Sequence, residues 1–130
     1  MDNDINQRVK EALDRTEIMA LATVGDDGSW VSPVKYNYTD TFTLSFVSMP
    51  GTKHVTNIQS DNRVSVAIYQ YPGPTGGNLG LQITGTAADQ EPEKTNGGHR
   101  FTITPTDAWL FDSRGGNWER EPVDLDRLQL

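Results

Sequence analysis

From Ile18 onward the chain adopts a period of two, and this alternation restricts its fold more than any other feature. Ile18 to Val24 is an apolar run closed by Gly25-Asp26-Asp27-Gly28, a turn signal. Trp30 to Tyr38 follows as a second strand, so the two read as a hairpin. Phe42, Leu44 and Phe46 alternate with Thr43, Ser45 and Val47; Val64, Val66 and Ile68 with Ser65, Ala67 and Tyr69; Leu79, Leu81 and Ile83 with Gly80, Gln82 and Thr84. Phe101 and Ile103 alternate with Thr102 and Thr104, and Ala108 to Phe111 makes a last short strand. Such a pattern gives each strand one buried face and one wetter face. Six or seven strands of this kind predict a small antiparallel β-barrel, because a flat sheet of that size leaves long unpaired edges. Pro33 cannot donate to a ladder and so assigns the second strand to an edge or a bulge.

Two segments keep a helical period. Ile5, Val9, Ala12 and Leu13 recur at spacings of three and four, opposite Arg8, Lys10, Glu11 and Arg15. Asp2, Asn3 and Asp4 are the capping candidates, and acids suit the positive end of the helix dipole. Thr52 to Gln59 reads as a short inserted helix carrying Val55 and Ile58, stopped by Ser60-Asp61-Asn62. Tyr71 to Asn78 and Gln90 to Gly98 are read as loops. The 130 residues are expected to form a single domain, with an N-terminal helix in 1–16, the barrel in 17–113 and a polar tail in 114–130.

Lys and Arg total 11 against 18 Asp and Glu, a net charge of −7, which argues against nucleic acid and anionic membranes as main partners. The charge is uneven: the middle of the chain, 31–86, holds Asp40 and Asp61 against Lys35, Lys53 and Arg63. The absence of cysteine excludes a disulfide scaffold, a thiolate metal site and a thiol nucleophile together. MDNDINQRVK lacks the basic start and apolar run of a signal peptide, so a cytoplasmic location is expected, where the sequon at Asn37 carries no meaning.

Conventional active-site patterns are missing: no HExxH, no P-loop, no G-x-S-x-G and no dinucleotide fingerprint. The glycines of Gly73 to Gly80 do not lie between a strand and a helix and read as a turn-rich loop. His54 and His99 have no companion at metal-ligand spacing and read as solvated or locally hydrogen-bonded. Asp26 with Asp27, and Glu91 with Glu93, read as hydrated turns. No catalytic side chain and no metal site is expected. One segment differs. Ser48-Met-Pro-Gly-Thr-Lys-His54 joins a strand end to a helix start, where exposed N–H groups, the hydroxyls of Ser48 and Thr52 and the Lys53 cation suit a phosphate. The competing reading is that Lys53 merely opens a surface helix and that Lys35 snorkels from a sheet edge.

The order Ala-Thr-Val-Gly (22–25), Gly28, Val-Ser-Pro-Val (31–34), Phe42 to Ser48, Gly-Thr-Lys-His (51–54), Asn57-Ile58 and Asn62-Arg-Val-Ser-Val (62–66) resembles the pyridoxamine 5′-phosphate oxidase-like family of FMN-binding split β-barrels. The likeness runs from about Glu17 to Thr86 and resumes over Phe101 to Asp112. The resemblance implies a homodimer with FMN at the subunit interface. It implies that the second strand, with Val34, Lys35 and Tyr36, runs beside the isoalloxazine. By the same resemblance Ser48, Thr52, Lys53 and His54 match the phosphate-binding turn, and Lys35 the basic strand residue. Where many members have Arg followed by Lys, this chain has Lys53 then His54, which leaves fewer bidentate contacts and a pH-dependent charge. The short segment 89–98 replaces a helix that many members carry. The tail Arg114 to Arg120 does not reproduce the substrate-binding end of the oxidase proper, which argues against pyridoxal phosphate synthesis.

Two functions follow as expectations. The first is an FMN-dependent oxidoreductase on a small molecule, with Trp109, Tyr36 and Trp30 as possible walls over the ring, and a deazaflavin in place of FMN as a variant. The second is a non-catalytic flavin or small-ligand binding protein on the same fold. Ordinary core or interface packing is the competing reading for each of the three aromatics.

Overall fold

The computed structural model describes residues 2–70, 77–92, 97–116 and 119–130, with side chains for all of these except 2, 3, 91 and 92. The chain runs α1 (Asp2–Asp14), β1 (Ile18–Gly25), β2 (Gly28–Lys35), β3 (Asn37–Tyr38), β4 (Leu44–Ser48), α2 (Lys53–Ser60), β5 (Arg63–Gln70), β6 (Leu79–Pro92), β7 (His99–Asp112) and β8 (Arg120–Pro122). Eight antiparallel strands form one curled sheet in the order β2-β1-β5-β6-β7-β4-β3, with β8 added beside β7. This is a split β-barrel with two helices. Its core is the concave face, where Met19, Leu21, Phe46, Ile68, Phe101 and Leu110 are buried, and Val9 and Leu13 of α1 join it.

The β1–β2 hairpin closes as expected on Asp26 and Asp27, with Gly25 opposite Gly28. Gly28 has φ +106°, a conformation that glycine adopts without a Cβ clash. Pro33 lies on β2, an end strand of the sheet order, as its missing donor requires. The expected strand over Trp30 to Tyr38 is two strands. β2 ends at Lys35, and Asn37–Tyr38 pairs with β4 at the other end of the sheet. The break falls at Tyr36, whose hydroxyl lies 2.6 Å from the Leu13 carbonyl and 2.9 Å from that of Thr16 and donates into this pair. Leu13 belongs to the last turn of α1, where carbonyls lack an intrahelical partner. Tyr36 therefore closes the helix end, and burial pushes its phenol pKa further up. Phe42 is buried but lies outside β4, at φ 66° in a turn closed by its N–H on the Thr39 carbonyl.

Where two strands had been expected over Phe101 to Phe111, there is one bent strand. β7 pairs with β6 along its length, with β4 through His99–Ile103 and with β8 through Trp109–Phe111. The bend is a bulge in which Thr106 is the extra residue, and it accommodates Pro105. A Cβ on Gly85, opposite, would stand 2.4 Å from the Thr104 carbonyl oxygen, so only glycine permits the approach. β6 likewise continues to Pro92 through a second bulge at Gln90, into what the sequence presents as a loop. Residues 93–96 of that loop lie outside the described residues, as do 71–76 of the other. Gly77 and Asn78 are irregular, as expected. The tail is not featureless, since β8 forms within it and Val123 and Leu128 are buried.

Candidate functional site

The turn from β4 into α2 is built by its own sequence. Gly51 takes φ +89°, and the Thr52 hydroxyl donates to the Met49 carbonyl at 3.0 Å. Thr52 is the N-cap residue by position, yet its side chain makes no cap bond, because the hydroxyl is spent on the turn behind it. No acidic residue stands in the first turn of α2. The positive end of the helix thus meets neither a side-chain cap nor a carboxylate of its own, which is the electrostatic condition for holding an anion. α2 is fixed to β1 by buried Val55 and Ile58 and by Asn57, whose Nδ2 donates to Thr23 Oγ1 at 3.1 Å. A Cβ on Gly25 would fall 2.0 Å from Asn57 Oδ1, so Gly25 is what lets the helix seat this closely.

Around this helix start the side chains pair locally. His54 Nε2 lies 2.8 Å from Ser48 Oγ, the donor depending on the tautomer, and its ring leans on Phe46 at 6.2 Å between centroids. Burial lowers the His54 pKa from its ordinary value, since a desolvated imidazole disfavours its charged form. Lys53 Nζ stands 4.6 Å from the centroid of the Trp30 ring and 3.6 Å from Asp27 Oδ2. Trp30 Nε1 donates to Ser32 Oγ at 3.0 Å. His99 faces Ser48 across β7 and β4, with Nδ1 2.9 Å from the Asp89 carboxylate.

Ser48, Thr52, Lys53 and His54 are thus brought together. The other expected residues lie elsewhere. Val34 and Tyr36 are buried. Lys35 is exposed and opposite Ile18, on the outward face of β2, whereas Trp30 shares the inward side with Ser32. Trp109 is on the outward face too, opposite Gln82 and Pro122. It lines a shallow cleft of about 400 Å³ with Ala20, Ala22, Val31 and Ala67. Since α2 covers the inward face at Thr23, Trp109 and Lys53 lie on opposite sides of the sheet.

The family model for pyridoxamine 5′-phosphate oxidase matches residues 5–112. The chain belongs to the pyridoxamine 5′-phosphate oxidase family. The match ends where β7 ends, so β8 and the tail lie beyond it. No curated protein matches the sequence. Among solved structures, a candidate pyridoxamine 5′-phosphate oxidase from Listeria innocua superposes with a TM-score of 0.69 at 16% identity, covering 82% of this chain and 97% of that one. A FAD-binding protein from Mesorhizobium loti gives 0.65 at 20%, covering 78% and 88%. A heme-binding protein from Mycobacterium smegmatis gives 0.74 at 14%, covering 98% of this chain and 60% of that one. At these identities the likeness is one of fold.

Within this family frame, two features escaped the sequence reading. Asp27 and Trp30, from the hairpin, are the partners of Lys53, and nothing local in the sequence connects a turn aspartate to that lysine. The outward sheet face carries large exposed apolar side chains, Ile18 at 49% exposure, Val31 at 62% and Tyr69 at 55%, among polar ones such as Lys35. Its signal was present in Ile18 to Val24, which is apolar at both strand parities, as a strand covered on both faces would be.

Proposed function

We propose that this member of the pyridoxamine 5′-phosphate oxidase family binds FMN between two copies of the chain and serves as an FMN-dependent oxidoreductase on a small molecule. The observation that carries the reading is the β4–α2 turn. An α2 start with no side-chain cap and no acid in its first turn has Lys53 upon it and the Ser48 hydroxyl, paired with His54, alongside. The Thr52 hydroxyl is turned back to the Met49 carbonyl, so the helix-start N–H groups and the Lys53 ammonium are the donors offered to a phosphate monoester. FMN when bound supplies the hydride chemistry, and the protein supplies its binding and orientation. The residues of the turn hold the phosphate and so fix where the ring lies. The large apolar side chains exposed on the outward face, Ile18, Val31, Tyr69 and Trp109, support the homodimer, because exposed apolar surface marks an interaction surface. With Trp109 and Lys53 on opposite sides of the sheet, a ring contact from Trp109 comes from the second copy.

A second reading, a flavin carrier without turnover, is favoured by one observation: His54, next to Lys53, is a half-buried imidazole bonded to Ser48, so Lys53 is the one permanent cation of the turn. The absorption spectrum of the purified protein, before and after NADH or NADPH, separates the two. Flavin bands that bleach support the oxidoreductase. Flavin bands that persist with both donors support the carrier. Colourless protein that takes up heme but neither FMN nor FAD on dialysis overturns both.

A further inference from the structure

We propose that the β1–β2 hairpin is part of the phosphate site, with Trp30 as the residue that positions Lys53 and Asp27 as an internal competitor for its charge. This rests on the reading that Lys53 takes the FMN phosphate. The two contacts on the ammonium differ in kind. Trp30 is anchored, because its Nε1–H is bonded to Ser32, which is buried at 9% exposure, so the ring is a fixed shelf 4.6 Å beneath Nζ. Asp27 is loose. Its side chain is 84% exposed, and 3.6 Å is longer than the roughly 2.7–2.9 Å of a charge-assisted hydrogen bond. An arriving dianion displaces the carboxylate and leaves the ring contact intact, since a cation held over an aromatic face keeps its other donors open. The hairpin then does two things at once. Trp30 keeps the long Lys53 side chain near the helix start, and Asp27 offsets its charge while no anion is bound.

The test is FMN and riboflavin titration of the full chain and its variants by flavin fluorescence. Removing an exposed competing carboxylate in Asp27→Asn is expected to tighten FMN about two- to fivefold, the scale of an exposed ion pair. Riboflavin, which has no phosphate, is unaffected, and the gain disappears in the Lys53→Ala background. Trp30→Leu weakens FMN about fivefold, and Trp30→Phe, which keeps a ring, recovers most of the loss. FMN affinity that depends on Lys53 but is unchanged or weakened in Asp27→Asn overturns the competitor role. Equal loss in Trp30→Leu and Trp30→Phe overturns the positioning role. FMN affinity indifferent to Lys53→Ala overturns the phosphate reading itself, and this inference with it.

Discussion

Single residues in this molecule act mostly by completing something another segment leaves open. Tyr36 is the clearest case: a residue between β2 and β3 whose hydroxyl satisfies carbonyls at the end of a helix remote in sequence. Tyr36→Phe leaves the buried Leu13 carbonyl without its partner, and a loss of about 1–3 kcal/mol in urea-denaturation stability is expected, with no effect on flavin contacts. The β4–α2 turn was legible as sequence because its parts are contiguous, and glycine, hydroxyl and cation fall in the order that a strand-to-helix turn needs. The burial of His54 and the Asp27–Trp30 grip on Lys53 were not, because both depend on segments that meet only in the fold.

Elements were legible where their period was unbroken and misread where it was interrupted. Helix α1 and the middles of β1, β5 and β6 follow their apolar spacing. The strand ends do not, because the bulges at Thr106 and Gln90 shift the parity and make a continuous ribbon look like strand and loop. β8 has three residues with no alternation to detect, yet it helps to hold α1. Arg8 bonds Glu121 at 2.8 and 3.1 Å, and Arg114 bonds Asp112 on β7 at 2.8 Å and Glu11 on α1 at 2.7 Å. Hydrogen bonds from Arg114 hold Asp112 below its usual carboxylate range, and those from Arg8 do the same for Glu121. Depressed carboxylates add stability above their ordinary values and lose it as pH falls through the folded ones. Thermal melts should therefore show the wild type losing stability steeply below about pH 4.5, the ordinary carboxylate range. Arg114→Met should be less stable at pH 7 and lose less on acidification.

At the scale of the whole molecule, the sheet has one face packed and one face open, and the open face exposes Ile18, Val31 and Tyr69 on β1, β2 and β5. A chain with a net charge of −7 repels its own copies at long range, so an apolar face is what pairing requires. Sedimentation is expected to give twice the 14.4 kDa chain mass. Val31→Asp, which puts a charge at the most exposed apolar position of that face, should give the single mass and lose FMN together with the dimer. A wild type that sediments as a monomer while holding FMN separates the two claims and removes the second copy from the site.

The central claim is that the turn from Ser48 to His54 recognises a phosphate, and the comparison of FMN with riboflavin tests it most directly. Dissociation constants for both flavins should be measured by equilibrium dialysis on the wild type and on Lys53→Ala. The account predicts that FMN binds the wild type at least about tenfold more tightly than riboflavin, and that Lys53→Ala removes most of that difference, as loss of a charge-assisted phosphate contact implies. Equal affinity for the two flavins, or a preference for FMN that survives in Lys53→Ala, would contradict it.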